Sequence, residues 1–376
     1  MVNKFIKKKI GFFYINDPNW LGGMDYIINA VNSLNNLETD KQPEIEILVS
    51  EDLNLNDLSG RLSYTKYNFY VLPRKINRTL CLWLTNRYRW EFVYPFPKGK
   101  VYDNLFWGMS DRRKIYWIPD FQEEYFPQYF EIEILEKRRK MRAILSKQNK
   151  SMVVFSSQNA LNDFKQYHGP EIKAKTKVLQ FANPDKWEFD VNFTQKTLKR
   201  YNLKSHDFFI CPNQMWEHKN HIVVLEALRE GLKIKQNLKV VFCGKEHDPR
   251  NPLFADGLKL MGKDLVDNGS VYFLGYLPKN EQMCLINESI ALIQPSKFEG
   301  WSTTIEDGIA FGKQIIASDL LVNQEQLTDK GLYFNPNDYK ELSRILLNLS
   351  VVCGSVNYNQ ELRVKEFAHK LITLSK

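Results

Sequence analysis

Within Pro295-Ser-Lys-Phe-Glu-Gly-Trp-Ser-Thr-Thr-Ile-Glu-Asp-Gly308, two carboxylates, Glu299 and Asp307, flank Thr303-Thr-Ile-Glu306, which has the spacing of a helix capping box with Thr303 as the cap. A helix start directs free backbone N–H groups and the positive dipole end outward, which suits a phosphate. Carboxylates cannot serve a phosphate but accept hydrogen bonds from sugar hydroxyls. One loop thus offers amides for phosphate and acids for sugar. The matching cation lies in Cys211-Pro-Asn-Gln-Met-Trp-Glu-His-Lys-Asn-His221, where Lys219 is expected to open a helix and to neutralise a departing diphosphate. The alternative for Lys219 is a solvated surface lysine. His218 and His221 stand three apart and have no third metal ligand nearby, so they are read as polar neighbours of the phosphate site. No D-x-D pair occurs anywhere in the chain, so a carboxylate cradle for a metal-bound diphosphate has no candidate. Protein cations and helix amides are expected to take the metal's place.

These residues need a scaffold that brings loops together at one edge. Apolar runs bounded by turn residues predict buried strands at Ile10–Ile15, Glu44–Val49, Phe69–Leu72, Lys114–Ile118, Met152–Phe155 and Lys177–Gln180. A second series follows at Phe208–Cys211, Lys239–Cys243, Val271–Leu274, Ile290–Gln294 and Gln314–Ala317. Helical patterns between several of them imply two doubly wound α/β units with mostly parallel sheets. The polar stretch from Asn183 to His206 marks the junction, giving domains at 1–200 and 201–355 and a terminal helix over 356–376. The turn after the first strand carries Gly22 and Gly23, which would let backbone approach a donor phosphate; a plain tight turn is the alternative. Pro119-Asp-Phe-Gln-Glu-Glu-Tyr-Phe-Pro127 follows a strand's carboxyl end, so Asp120, Gln122 and Glu123 are acceptor-side candidates. Glu131–Lys150 reads as a basic amphipathic helix, either a solvated face or a membrane-surface contact. The dinucleotide fingerprint G-x-G-x-x-G is missing from both first turns, which disfavours an ordinary dehydrogenase.

The bulk properties set outer limits. At 376 residues, 43% hydrophobic and 26% charged, the chain suits two globular domains. A formal charge of +8 favours an anionic partner, a nucleotide, a phospholipid surface or nucleic acid, of which nucleic acid is the weakest for want of any zinc-finger, RNP-like or helix-turn-helix signal, so no nucleic-acid partner is expected. Five scattered cysteines, Cys81, Cys211, Cys243, Cys284 and Cys353, suggest reduced thiols in a cytoplasmic protein, and with them an unglycosylated Asn77. No stretch reaches the roughly 18 apolar residues of a spanning helix.

Taken together, Phe298-Glu-Gly-Trp-Ser-Thr-Thr-Ile-Glu-Asp307, Asn213-Gln-Met-Trp-Glu-His-Lys-Asn-His221, Leu274-Gly-Tyr-Leu-Pro278 and Pro119-Asp-Phe-Gln122 resemble the group-1, or family-4, retaining glycosyltransferases of GT-B fold. The resemblance implies two Rossmann-like doubly wound domains with an interdomain cleft, and transfer of a sugar from a UDP- or GDP-linked donor to a hydroxyl of a glycan or lipid-linked acceptor. It also implies no cofactor and no metal. Glu299 maps onto the family's donor-sugar contact and Asp307 onto its ribose contact, where the family has Glu. Lys219 maps onto the diphosphate lysine, and Gln214 replaces the usual Arg. Leu277 and Ser302–Thr304 complete the implied donor site, with Gly22 and Gly23 closing from the first domain. The family's first-domain histidine is absent, since the first His of the chain is His168, which leaves Asp120 or Glu123 for that place. Bacterial surface polysaccharide assembly, in the cytoplasm or peripherally on the anionic inner face of the plasma membrane, is the setting implied. A nucleotide-sugar epimerase of the same fold and a catalytically inactive nucleotide-sugar or glycan-binding subunit are the alternatives.

Overall fold

The computed structural model describes residues 9–14, 16–17, 20–73, 88–95, 114–349 and 355–374. Cys81, Cys353 and Asn77 lie outside them. The chain divides into two units, 1–184 with 361–376, and 185–360.

The first unit holds seven strands: β1 (Lys9–Phe13), β2 (Ile45–Ser50), β3 (Tyr67–Leu72), β4 (Tyr88–Val93), β5 (Lys114–Ile118), β6 (Met152–Phe155) and β7 (Lys175–Val178). All pair in parallel in the order β3-β2-β1-β4-β5-β6-β7. Strands covered on both faces do not alternate in polarity, and β5 is buried at every position. One face carries Phe13, Tyr116, Ile118, Phe155 and Phe164. Towards the helix Leu21–Ser33, Tyr26 stacks on Trp117 at 3.9 Å, and Phe367 of the last helix, Gln360–Ile372, meets Tyr26 edge-on.

The second unit repeats the plan with six parallel strands: β8 (Phe209–Cys211), β9 (Val240–Phe242), β10 (Val271–Phe273), β11 (Leu292–Gln294), β12 (Ile315–Ser318) and β13 (Leu332–Phe334), in the order β10-β9-β8-β11-β12-β13. Successive residues face opposite sides. Phe209, Phe242 and Ile293 join the core under the helix His221–Leu232, while Ile210, Val241 and Leu292 join the core containing Ile305 and Ile309 of the helix Thr303–Ala310.

In both units the strand order reverses beside the first strand, between β1 and β4 and between β8 and β11. Loops leaving the carboxyl ends of two such strands diverge and open a crevice.

Two strands are not anticipated from the sequence. β4 carries Arg89 and Glu91 among its aromatics, and β13 is only three residues long. The helix Val191–Arg200, which the sequence reading assigns to the first domain, lies in the second unit, where Arg200 and Tyr201 both bond Glu281. The terminal helix begins four residues later than expected and belongs with the first unit, where the Thr373 carbonyl accepts from Lys177.

Candidate functional site

The loop after β8 turns once through a 3-10 segment, Glu217–Lys219, before Asn220 takes a left-handed backbone conformation with φ 58° and the helix starts at His221. Lys219 therefore does not open the helix, as the sequence suggests, but sits just before it. Asn220 explains why. Its Nδ2 donates to the carbonyls of Pro295 at 3.1 Å and Pro336 at 2.8 Å, tying this loop to those after β11 and β13. The Lys297 N–H donates to the His218 carbonyl at 2.8 Å, and Thr304 Oγ1 lies 3.2 Å from Asn213 Oδ1. Between these staples Lys219 Nζ meets Glu299 Oε1 at 2.6 Å, with Lys219 17% and Glu299 9% exposed. Lysine and carboxylate, 80 residues apart in the chain, thus share one point at the switch of the second sheet.

Behind Glu299 stands Gln294, the fully buried last residue of β11, whose Nε2 donates to the same oxygen at 2.6 Å. No donor among the described residues reaches the other carboxylate oxygen, Oε2.

The helix Thr303–Ala310 is capped by Ser302, not Thr303: Ser302 Oγ accepts from the Ile305 N–H at 3.2 Å. The Ser302 backbone is also engaged, its N–H donating to Gln326 Oε1 and its carbonyl accepting from Gln326 Nε2. Glu306, expected to close a capping box, is instead fully buried, and its Oε1 accepts from Trp301 Nε1 at 3.2 Å and Gln326 Nε2 at 2.8 Å. Asp307 faces elsewhere, its Oδ2 accepting from Lys279 Nζ at 2.6 Å. The Thr304 side chain is held by Pro212 and Asn213. What this helix start retains for a ligand is the N–H groups of Thr303 and Thr304, which find no acceptor among the described residues.

Gln214 stands on the same loop as Lys219, and its Nε2 is sealed from solvent with no hydrogen-bond partner among the described residues. The Leu277 side chain is packed in the core, so only its backbone could serve a ligand.

Arg250 joins these loops without standing out in the sequence. Gly244, with φ 146°, lets the loop after β9 run against Asn213, where a Cβ would lie 2.3 Å from the Asn213 carbonyl oxygen. That loop brings Arg250 over the Trp216 ring at 4.5 Å, clamped on Asp248 by Nε at 2.9 Å and Nη2 at 3.1 Å. Its Nη2 also lies 3.4 Å from His218 Nδ1. The only signal in the sequence is the D-x-R spacing, which fixes a local pair but not its destination.

Both histidines are kept neutral. Burial first, then the charges of Lys219 and Arg250, hold His218 well below the ordinary imidazole range, and burial lowers His221 to about 4. His221 is fully buried and packs on Phe242, so it is a core residue and not the polar surface neighbour expected from the sequence. Among the described residues no three or more His, Cys, Asp or Glu gather to hold a metal ion.

In the first unit, Gly22 and Gly23 lie in the first turn of the helix Leu21–Ser33 and not in a turn before it. A Cβ on Gly23 would stand 2.6 Å from the Trp20 ring, so that glycine makes room for an indole. Asp120 follows β5, accepts from the Gln122 N–H at 3.0 Å, and is pushed up to about 6, first by burial and then by the charge of Glu123. Glu123 is buried between Arg142 and Arg138 Nη1, the latter at 3.0 Å. Glu123 is thus paired within its own unit, three residues from Asp120. Arg139 joins Glu124 at 2.7 Å, so three of the basic groups of the helix Ile132–Lys147 face acids of their own unit. The cationic face expected for a membrane is correspondingly reduced. No helix of the described residues is long and apolar enough to cross a membrane.

Two doubly wound parallel units, the second with a cation, a carboxylate and a helix start at its switch point, define the GT-B class. Residues 194–350 match the family model of glycosyl transferases group 1. Over 188 residues the chain is 28% identical to the O-antigen chain mannosyltransferase RfbU of Salmonella typhimurium, a match covering 49% of this chain and 50% of that protein. The match thus spans about half the length of that curated relative. The fold is similar to HepE of Anabaena solved with UDP and glucose, at TM-score 0.69 and 14% identity over 98% of this chain and 99% of that one. It is also similar to a glycosyltransferase of Rickettsia africae, at TM-score 0.65 and 15% identity over 99% and 94%. The chain has the GT-B fold, and residues 194–350 are similar to the group-1 glycosyltransferases.

Proposed function

We propose that the protein moves a sugar from a nucleotide diphosphate sugar to a hydroxyl of a glycan or lipid-linked acceptor, with retention of anomeric configuration and without a metal. The observation that carries this reading is the Lys219–Glu299 pair on the loops after β8 and β11, at the switch point of the second unit, the β11 loop leading into the helix whose Thr303 and Thr304 N–H groups have no acceptor among the described residues. Diphosphate would lie on Lys219 and the helix-start amides. The sugar would hydrogen-bond Glu299 Oε2, and the ribose would meet Asp307, since Glu306 is turned into the core. Gln214 Nε2, buried and with no partner among the described residues, suits a phosphate or base oxygen.

The chemical step would break the bond between the anomeric carbon and the diphosphate oxygen through an oxocarbenium-like state. Lys219 stabilises the negative charge as it grows on the leaving oxygen. The acceptor hydroxyl attacks on the same face and gives its proton to the departing diphosphate. In the first unit, Asp120, ionised above about pH 6, is the carboxylate proposed for acceptor binding. HepE is described with UDP and UDP-glucose, and RfbU is named a mannosyltransferase, so UDP- and GDP-linked hexoses are the donors to try first. The test is product analysis with these donors, a lipid-linked or oligosaccharide acceptor, and EDTA present. Retention with EDTA-resistant turnover is expected, and an inverted product or an isomerised donor without transfer contradicts the reading.

A further inference from the structure

Gln294 presents a physical puzzle. It ends β11 at the centre of a parallel sheet, fully buried, at a place where an apolar residue would fit the strand pattern of Leu292 and Ile293. Burying an amide costs free energy unless both its ends are hydrogen-bonded. Its Nε2 is bonded, to Glu299 Oε1 at 2.6 Å and Ser296 Oγ at 3.1 Å, but its Oε1 has no partner among the described residues. The amide cannot be turned round, because that would set Oε1 against the Glu299 carboxylate. The fold therefore carries a half-satisfied buried amide whose bonds serve the loop after β11.

The geometry says what that bond does. Lys219 and Gln294 both donate to Glu299 Oε1, one charged and one neutral. With two donors on one oxygen, the carboxylate plane is fixed and Oε2 is left for an outside donor. Gln294 also keeps Oε1 bonded when Lys219 turns its charge to a diphosphate. We infer that Gln294 is a positioning residue for donor-sugar recognition: it holds Glu299 so that Oε2 meets a sugar hydroxyl, independently of Lys219. This rests on the reading that Glu299 contacts the donor sugar.

Calorimetric titration with UDP and UDP-glucose, and with GDP and GDP-mannose, tests the inference in wild type, Gln294→Met, Gln294→Glu and Glu299→Gln. Gln294→Met matches the side chain in length and removes both the donor and the unpartnered carbonyl, so its melting temperature is expected at or above wild type. On the nucleotide pair that wild type binds, it should weaken the nucleotide sugar about tenfold, the scale of one buried hydrogen bond to a charged group, and leave the bare nucleotide within about twofold. Gln294→Glu should show the same loss at pH 8 and regain affinity towards pH 5.5, because only a protonated carboxyl can donate to Glu299. A merely structural role would not produce that pH dependence. Equal loss of nucleotide and nucleotide sugar in Gln294→Met, or no regain at acid pH in Gln294→Glu, overturns the inference. If Glu299→Gln selectively weakens the nucleotide sugar while Gln294→Met does not, the Gln294 assignment alone falls. If Glu299→Gln has no selective effect, the underlying reading of Glu299 falls with it.

Discussion

Lys219 and Glu299 neutralise each other across 2.6 Å, so a donor's diphosphate and sugar would each meet a group already oriented by the other. Lys219→Ala should lower turnover by about 10²-fold or more, the effect of removing one preorganised transition-state donor. It also leaves Glu299 a buried charge held by Gln294 alone. Asp307 and Glu306 separate by what surrounds them. Glu306→Ala empties a bonded site under Trp301 and Gln326 and should destabilise by about 1–3 kcal/mol, read as a lowered denaturant midpoint. Asp307→Ala should leave stability nearly unchanged and weaken the nucleotide; unchanged nucleotide affinity in Asp307→Ala would remove the ribose assignment. The sequence could name both acids but not choose between their surroundings, because Gln326, which settles Glu306, lies 20 residues downstream.

At the scale of elements, the site is a set of loops stapled at their bases. Asn220 holds two carbonyls from separate loops with one amide, in a left-handed conformation that asparagine tolerates better than most residues. Asn220→Ala should cost about 1–3 kcal/mol and reduce turnover together, whereas a stability loss without an activity loss would show that Lys219 does not depend on the staple. The helix His221–Leu232 starts on a neutral buried histidine. Because its folded pKa is depressed from 6.5 to about 4, the unfolded chain takes up a proton there that the folded chain refuses. Stability contributed by neutral His221 is therefore present above pH 6.5 and is lost as pH falls towards 4. His221→Gln should flatten the stability profile across that window, as followed by urea unfolding at several pH values. Elements built on apolar runs, such as β5 and β6, are legible in the sequence to the residue. Those set by tertiary demand, such as β4 with its charges and the Ser302 cap, are not.

For the whole molecule, two parallel sheets follow from the alternation of apolar runs and helical patterns, which is legible in the order of the amino acids alone, whereas the strand reversal of the first unit runs through β4, which is not. Which unit holds the last helix is not, because its docking surface around Tyr26 is assembled from residues more than 300 positions earlier. Nor is the route that brings Arg250 beside His218, which depends on a glycine-permitted approach of two loops. Ligand binding should report on the second unit as a body. A nucleotide bound at about 100 times its dissociation constant stabilises by about 2.7 kcal/mol, so a melting-temperature panel of UDP, GDP and their sugars should single out one base.

The proposed function makes Lys219 and Glu299 the pair that acts on a nucleotide diphosphate sugar. Its most direct measure is the rate of nucleotide diphosphate release from the donor so identified, with acceptor and EDTA present, in wild type and Lys219→Ala. Release in wild type that falls about 10²-fold or more in the variant is the predicted result. Equal release from the two proteins, or none from wild type with any donor of the panel, would contradict it.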